Sequence, residues 1–189
     1  MSAQIDIALL LLRLVVGFAM FYHGSTKLFG WFGGAGLSGA TQIFRMLGYR
    51  PPRAMAIVAS TLETVGGVLL LLGLLSPTAV VLLTAILVNV IAVRIGNGYD
   101  QRNRGVEYEL ALLVVVAAIA FAGPGAYSLD AVLGIDLIGL AVRILGVDVG
   151  VLWSVVLLVA GAVGGLIVSA TRRTPAQHPT SAEVTAVDS

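Results

Sequence analysis

Six side chains in an otherwise apolar sequence could do chemistry: Arg13, His23, Lys27, Glu63, Asn89 and Glu107. Carboxylates, cations and a histidine that titrates near neutrality are the parts needed to exchange protons with a bound molecule. The plainer reading is structural. Arg13 or Lys27 neutralises Glu63, and the remaining polar groups hydrogen-bond between helices. At 100° per residue, Arg13, Gly17, Met20, Gly24 and Lys27 share one narrow stripe, with His23 one turn before Lys27. The small residues permit close approach of a neighbouring helix, and Glu63 followed by Gly66-Gly67 offers a matching surface.

The elements that must position these groups follow from composition. Of 189 residues, 58% are hydrophobic and only 11% charged, and the mean hydropathy is +1.00. Too few charged side chains exist to cover a water-soluble globule, so the chain is expected to be an all-α integral membrane protein whose surface faces the lipid bilayer. A net charge of +1 gives no footprint for nucleic acid. Cysteine is absent, which removes disulfides, cysteine metal sites and thiol redox chemistry from the chain itself. His23 has only His178 as a second histidine, so neither a haem nor another metal site is expected.

A helix needs roughly 20 apolar residues to cross a hydrocarbon core of about 30 Å. Residues 7–28, 54–75, 78–95 and 149–170 meet or approach that length, and 110–122 is a shorter fifth span that starts near Glu107, Tyr108 and Glu109 and stops at Gly123-Pro124-Gly125. Ser76 is expected to cap the third span, with Pro77 in its first helical position, making a hairpin with the second. The first span lacks a basic leader and a cleavage site and carries Arg13, so it is expected to stay in the mature protein. Residues 130–148, with Asp130, Asp136, Arg143 and Asp148, read as an interfacial helix, a re-entrant piece or, least favoured, a sixth span.

With five spans, Lys27, Arg45, Arg50, Arg53, Arg94, Arg102, Arg104, Arg172 and Arg173 fall on one side and Arg143 alone on the other. The positive-inside rule then places the N-terminus outside and the C-terminus in the cytoplasm. Phe21, Tyr22, Phe29, Trp31 and Phe32 cluster at the cytoplasmic end of the first span, where an interfacial aromatic belt is favoured over a quinone or lipid pocket. Gly34-Ala35-Gly36-Leu37-Ser38-Gly39 has the letters of a dinucleotide fingerprint without its βαβ context, so close backbone packing or flexibility is expected there instead.

A set of local motifs is more specific in combination: His23-Gly24, Lys27-Leu28-Phe29-Gly30-Trp31-Phe32-Gly33-Gly34, Leu47-Gly48, Pro51-Pro52, Glu63 before Gly66-Gly67, and Gly73-Leu74-Leu75-Ser76-Pro77. Asn97-Gly98-Tyr99, Glu107-Tyr108-Glu109-Leu110, Gly123-Pro124-Gly125 and Ser128-Leu129-Asp130 continue it. Over residues 11–134 the chain resembles the DoxX family of small bacterial inner-membrane proteins. The resemblance implies a four-helix transmembrane bundle and an association with oxidoreductases, since the family includes membrane subunits of an archaeal thiosulfate:quinone oxidoreductase and a partner in mycobacterial oxidative-stress complexes.

The expected organisation is a DoxX-like bundle over 1–134, a C-terminal extension with an additional membrane helix over 135–171, and a disordered cytoplasmic tail over 172–189. The expected function is an anchor or accessory subunit of a quinone-linked redox or oxidative-stress assembly. Its partners would be soluble or membrane redox proteins, with homo-oligomers as a further option, and a quinone would be its cofactor. Small-solute transport and a non-catalytic membrane scaffold are the competing classes.

Overall fold

A computed structural model describes residues 2–135 and 150–172. It contains α1 (Ala3–Leu28), α2 (Gly36–Met46), α3 (Pro52–Leu72), α4 (Ser76–Arg94), α5 (Glu107–Ala122), α6 (Leu129–Leu133) and α7 (Gly150–Ala170), joined in places by short 3-10 turns. No strand occurs among the described residues. The expected Asp136, Arg143, Asp148 and His178, and all of the expected tail except Arg172, lie outside them. The described residues flanking 136–149 both sit at the end of the bundle where α4 begins: Ile135 bonds to Asp130, and Ser154 bonds to Ala120 near the close of α5.

α1, α3, α4 continued to Asn97, and α7 from Val151 are long and apolar enough to cross a membrane. α5 is shorter, at 16 residues, or about 24 Å. It nevertheless runs alongside the others from one end of the bundle to the other, from Glu109 against Arg94 to Ala120 against Ser154. Large apolar side chains such as Val15, Phe18, Val114, Phe121, Val159 and Ile167 face outward, a surface suited to lipid and costly in water.

Two close contacts hold the layers. The broadest joins α1 to α3, and there the glycines are required by space: a Cβ on Gly17 would lie 2.6 Å from the backbone nitrogen of Leu71, and one on Gly67 would lie 2.4 Å from that of Phe21. In the second, α7 lies on α4 through Gly161 and Gly165, at which a Cβ would meet Thr84 and the Ala85 carbonyl. The expected C-terminal helix is therefore packed into the bundle.

The α3–α4 turn departs from expectation. Ser76 is the first helical residue, Pro77 the second, and Leu75 is the cap residue with a left-handed φ of 47°. The capping acceptor comes from α6: Asp130 accepts from the Leu75 N–H at 2.7 Å, the Ser76 N–H at 2.9 Å and the Ser76 hydroxyl at 2.6 Å. A buried carboxylate answers both the free amides and the positive end of the helix dipole, so the serine hydroxyl is drawn to it. The Asp130 N–H in turn donates to the Gly73 carbonyl, and Asp6 on α1 accepts from the Ala126 N–H. The Gly-Pro-Gly to Ser-Leu-Asp motif is thus a clasp that ties α1, the α3–α4 turn and the end of α5 together.

Candidate functional site

At the opposite end, α1, α3, α4 and α5 separate around a cavity of about 460 Å³. α2 and the residues after it roof this space with Ala40, Ile43, Phe44, Leu47 and Tyr49. Its deeper wall is apolar where Met20, Ile86, Leu87 and Leu112 line it, and nearer the end of the bundle it carries His23, Lys27, Glu63, Arg94, Tyr108 and Glu109.

Each charge is placed by the helix that bears it. Lys27, in the last turn of α1, extends to α3, where its Nζ donates to both carboxylate oxygens of Glu63 at 2.7 Å. The closeness enforced by Gly24 against Ser60 and Thr64 one turn earlier sets that reach. Glu63 is buried, its side chain 4% exposed against 35% for Lys27. Arg94, at the end of α4, pairs with Glu109 in the first turn of α5, Nη1 to Oε1 at 2.5 Å. Both residues also suit the helix dipoles at those ends. Between the two ion pairs, His23 Nε2 and the Tyr108 hydroxyl lie 3.4 Å apart.

A third set of contacts fixes the roof. The Tyr49 hydroxyl donates to Asn89 Oδ1 at 3.0 Å, and Asn89 Nδ2 donates to the Gly165 carbonyl on α7 at 3.3 Å. Arg172, just beyond α7, donates to the Leu47 carbonyl and holds its guanidinium 5.8 Å from the centre of the Tyr49 ring. Burial pushes the Tyr49 hydroxyl above its ordinary pKa, opposed by its bond to Asn89 and by Arg172, so it stays a donor at neutral pH.

Of the six residues singled out from the sequence, the structure brings His23, Lys27, Glu63 and Asn89 to this cavity. It does not bring Arg13 or Glu107. Arg13 is buried at the other end beside Gly73, donating to the Tyr127 carbonyl at 2.7 Å. Of the two bases offered as partners for Glu63, Lys27 takes that place because Arg13 sits more than three turns away on the same helix. Glu107 is exposed and accepts from the Gln101 N–H, whereas Glu109, two residues on, faces the cavity. The helix start at Glu107 decides between them, and 100° per residue puts the two carboxylates on different faces.

Phe29, Trp31 and Phe32 are more than half exposed, and together with Phe21 and Tyr22 they stack outside the cavity. The cavity's rings come instead from Phe44, Tyr49 and Tyr108. No group of three or more His, Cys, Asp or Glu able to hold a metal occurs among the described residues.

Comparison with known proteins places this arrangement. The family model for DoxX matches residues 8–94, from α1 to the end of α4. The "Putative oxidoreductase CatD" of Bacillus subtilis (strain 168) is 30% identical over 131 residues, covering 69% of this chain and 90% of that protein. The chain belongs to the DoxX family. No solved structure gives a significant match. Within this DoxX protein, His23, Lys27, Glu63, Asn89 and Arg94 lie in the part matched by the family model, while Tyr108 and Glu109 lie beyond it.

The asymmetric burial of the Lys27–Glu63 pair makes its two halves unequal. Lys27→Met leaves a buried carboxylate without its partner and should destabilise the protein by about 3 kcal/mol. Glu63→Gln frees a cation that can still reach the aqueous side and should cost about 1 kcal/mol. The double variant should recover most of the Lys27→Met loss. Thermal unfolding in detergent measures all three, and additive effects would contradict the pairing.

Proposed function

We propose that this DoxX protein is the membrane subunit of a redox assembly and that its cavity receives a quinone. The observation that carries the reading is the polarity gradient of the cavity, apolar where Met20, Ile86, Leu87 and Leu112 line it and polar where His23, Tyr108 and Glu109 do. A few convergent polar groups on an apolar wall suit an amphiphile with one hydrogen-bonding ring. Because Lys27 is paired with Glu63 and Arg94 with Glu109, the cavity offers compensated charge, which favours a neutral ligand over an ion.

His23, Tyr108 and Glu109 would hold the ring, and the apolar wall its substituents. A bound quinone would supply a two-electron, two-proton couple that the cysteine-free chain lacks in thiol form. The chain's own part is to orient the ring, to keep lipid from the polar groups, and to present His23 as a proton acceptor or donor at its Nε2. The oxidoreductase name of the relative supports the redox assignment. A transport path is disfavoured, since the half of the bundle beyond the cavity is filled by Leu9, Leu70, Val80, Val116 and Ile119.

Native mass spectrometry of the protein gently extracted from its own membrane should find a bound quinone or a copurifying oxidoreductase. A lipid-only monomer or homo-oligomer would instead favour a scaffold.

We further propose that the cavity end faces the cytoplasm of a bacterial inner membrane, because Arg45, Arg50, Arg53, Arg102 and Arg104 gather in the loops and helix ends there. Compartment reporters at the N-terminus and after Arg173 should read outside and inside respectively. An external signal after Arg173 would refute the orientation.

A further inference from the structure

The corner between α2 and α3 gathers cations with no acid to answer them. α2 closes at Gly48, whose φ is 83°: the Gly48 N–H donates to the Arg45 carbonyl and the Tyr49 N–H to that of Phe44, both at 3.0 Å. This pair of bonds ends the helix and turns the chain sharply, so that α3 starts at Pro52. Tyr49, buried beneath, pins the turn. Arg45, Arg50 and Arg53 are thereby held on one short stretch, all three exposed. Arg172 joins them from the end of α7, its Nε donating to the Leu47 carbonyl at 3.1 Å. None of the four has an ion-pair partner among the described residues, and no Asp or Glu occurs between Asp6 and Glu63. Other cations at this end do have acids: Lys27 has Glu63, Arg94 has Glu109 and Arg102 has Asp100.

We infer that this corner binds an anionic phospholipid of the surrounding bilayer, with the headgroup phosphate answering Arg45, Arg50, Arg53 and Arg172. Guanidinium forks match phosphate oxygens, and like charges gathered without acids repel one another until an anion joins them. Topology asks only for positive charge at this end, not for its concentration where carboxylates are missing. The apolar neighbours decide the source of the phosphate. Met46 beside Arg45, and Ile57 and Val58 about one turn after Arg53, are exposed, so the arginines stand at the edge of the lipid-facing surface. Acyl chains cover those side chains, whereas inorganic phosphate or an acidic soluble protein would leave them bare. The assignment is independent of what fills the cavity.

The test is native mass spectrometry of the full-length protein after exchange into mixed micelles holding equal amounts of dioleoyl phosphatidylglycerol and dioleoyl phosphatidylcholine. The wild type should retain phosphatidylglycerol over phosphatidylcholine by about tenfold. The triple variant Arg45→Gln, Arg50→Gln, Arg53→Gln should bring that ratio close to one. The double variant Arg102→Gln, Arg104→Gln, in the loop before α5, should keep it. The three substituted side chains are exposed, so the triple variant should fold, and the wild-type ratio is read without it. Equal retention of the two lipids by the wild type, or a preference that survives the triple variant, would overturn the site. Displacement of the bound lipid by an equal concentration of inorganic phosphate would reassign the corner to the free anion. An acidic soluble protein that copurifies with the wild type but not with the triple variant, without any lipid preference, would reassign it to that partner.

Discussion

The close approach of α1 to α3 is the constraint on which the rest depends. Gly17, Gly24 and Gly67 bring the two backbones together along a continuous seam, and only at that separation does the Lys27 ammonium meet both oxygens of Glu63. In a bilayer the apolar effect gives little reason for two helices to associate, so surface fit and interhelical polar bonds must hold them. The seam supplies the fit and the ion pair supplies the bond. An unpaired Glu63 at that depth would be costly, so the pair and the packing depend on each other.

The two ends of the bundle are built for opposite purposes. At one end the polar groups tie segments together: Asp130 caps α4 with three hydrogen bonds, Asp6 holds the loop after α5, and Arg13 beside Gly73 donates through Nη2 to the Tyr127 carbonyl. At the other end the helices spread beneath α2, leaving space between two ion pairs. A clasp that closes one end permits the other to open without loss of register. α7 adds to this by reaching the roof through Asn89 and Arg172, so residues after the match to the family model help to support the cavity.

Much of this was legible in the sequence, for reasons that differ by element. The helices follow from apolar runs too long for a soluble core, and the α1 stripe follows from the spacing of Gly17, Met20, Gly24 and Lys27 at one helical face. The motif set pointed to the family before any geometry was known. The α3–α4 cap was misread because a local Ser-Pro signal cannot reveal an acceptor supplied from 54 residues away. Arg13 was grouped with Lys27 because a shared helical face says nothing about depth along the axis. Glu107 was preferred to Glu109 for want of a fixed start to α5. The roof formed by α2 and Tyr49 had no sequence signal, since its partners Asn89 and Arg172 lie on α4 and just beyond α7.

The central claim is that a neutral ring-bearing amphiphile occupies the space between the Lys27–Glu63 and Arg94–Glu109 pairs. Photoaffinity labelling with an azido-quinone in native membranes, followed by peptide mapping, tests it most directly. The account predicts adducts on cavity residues of α1, α4 and α5 such as Met20, Leu87 and Leu112, suppressed by excess unlabelled quinone. Labelling confined to outward residues such as Val159 and Ile167, and insensitive to competition, would contradict it.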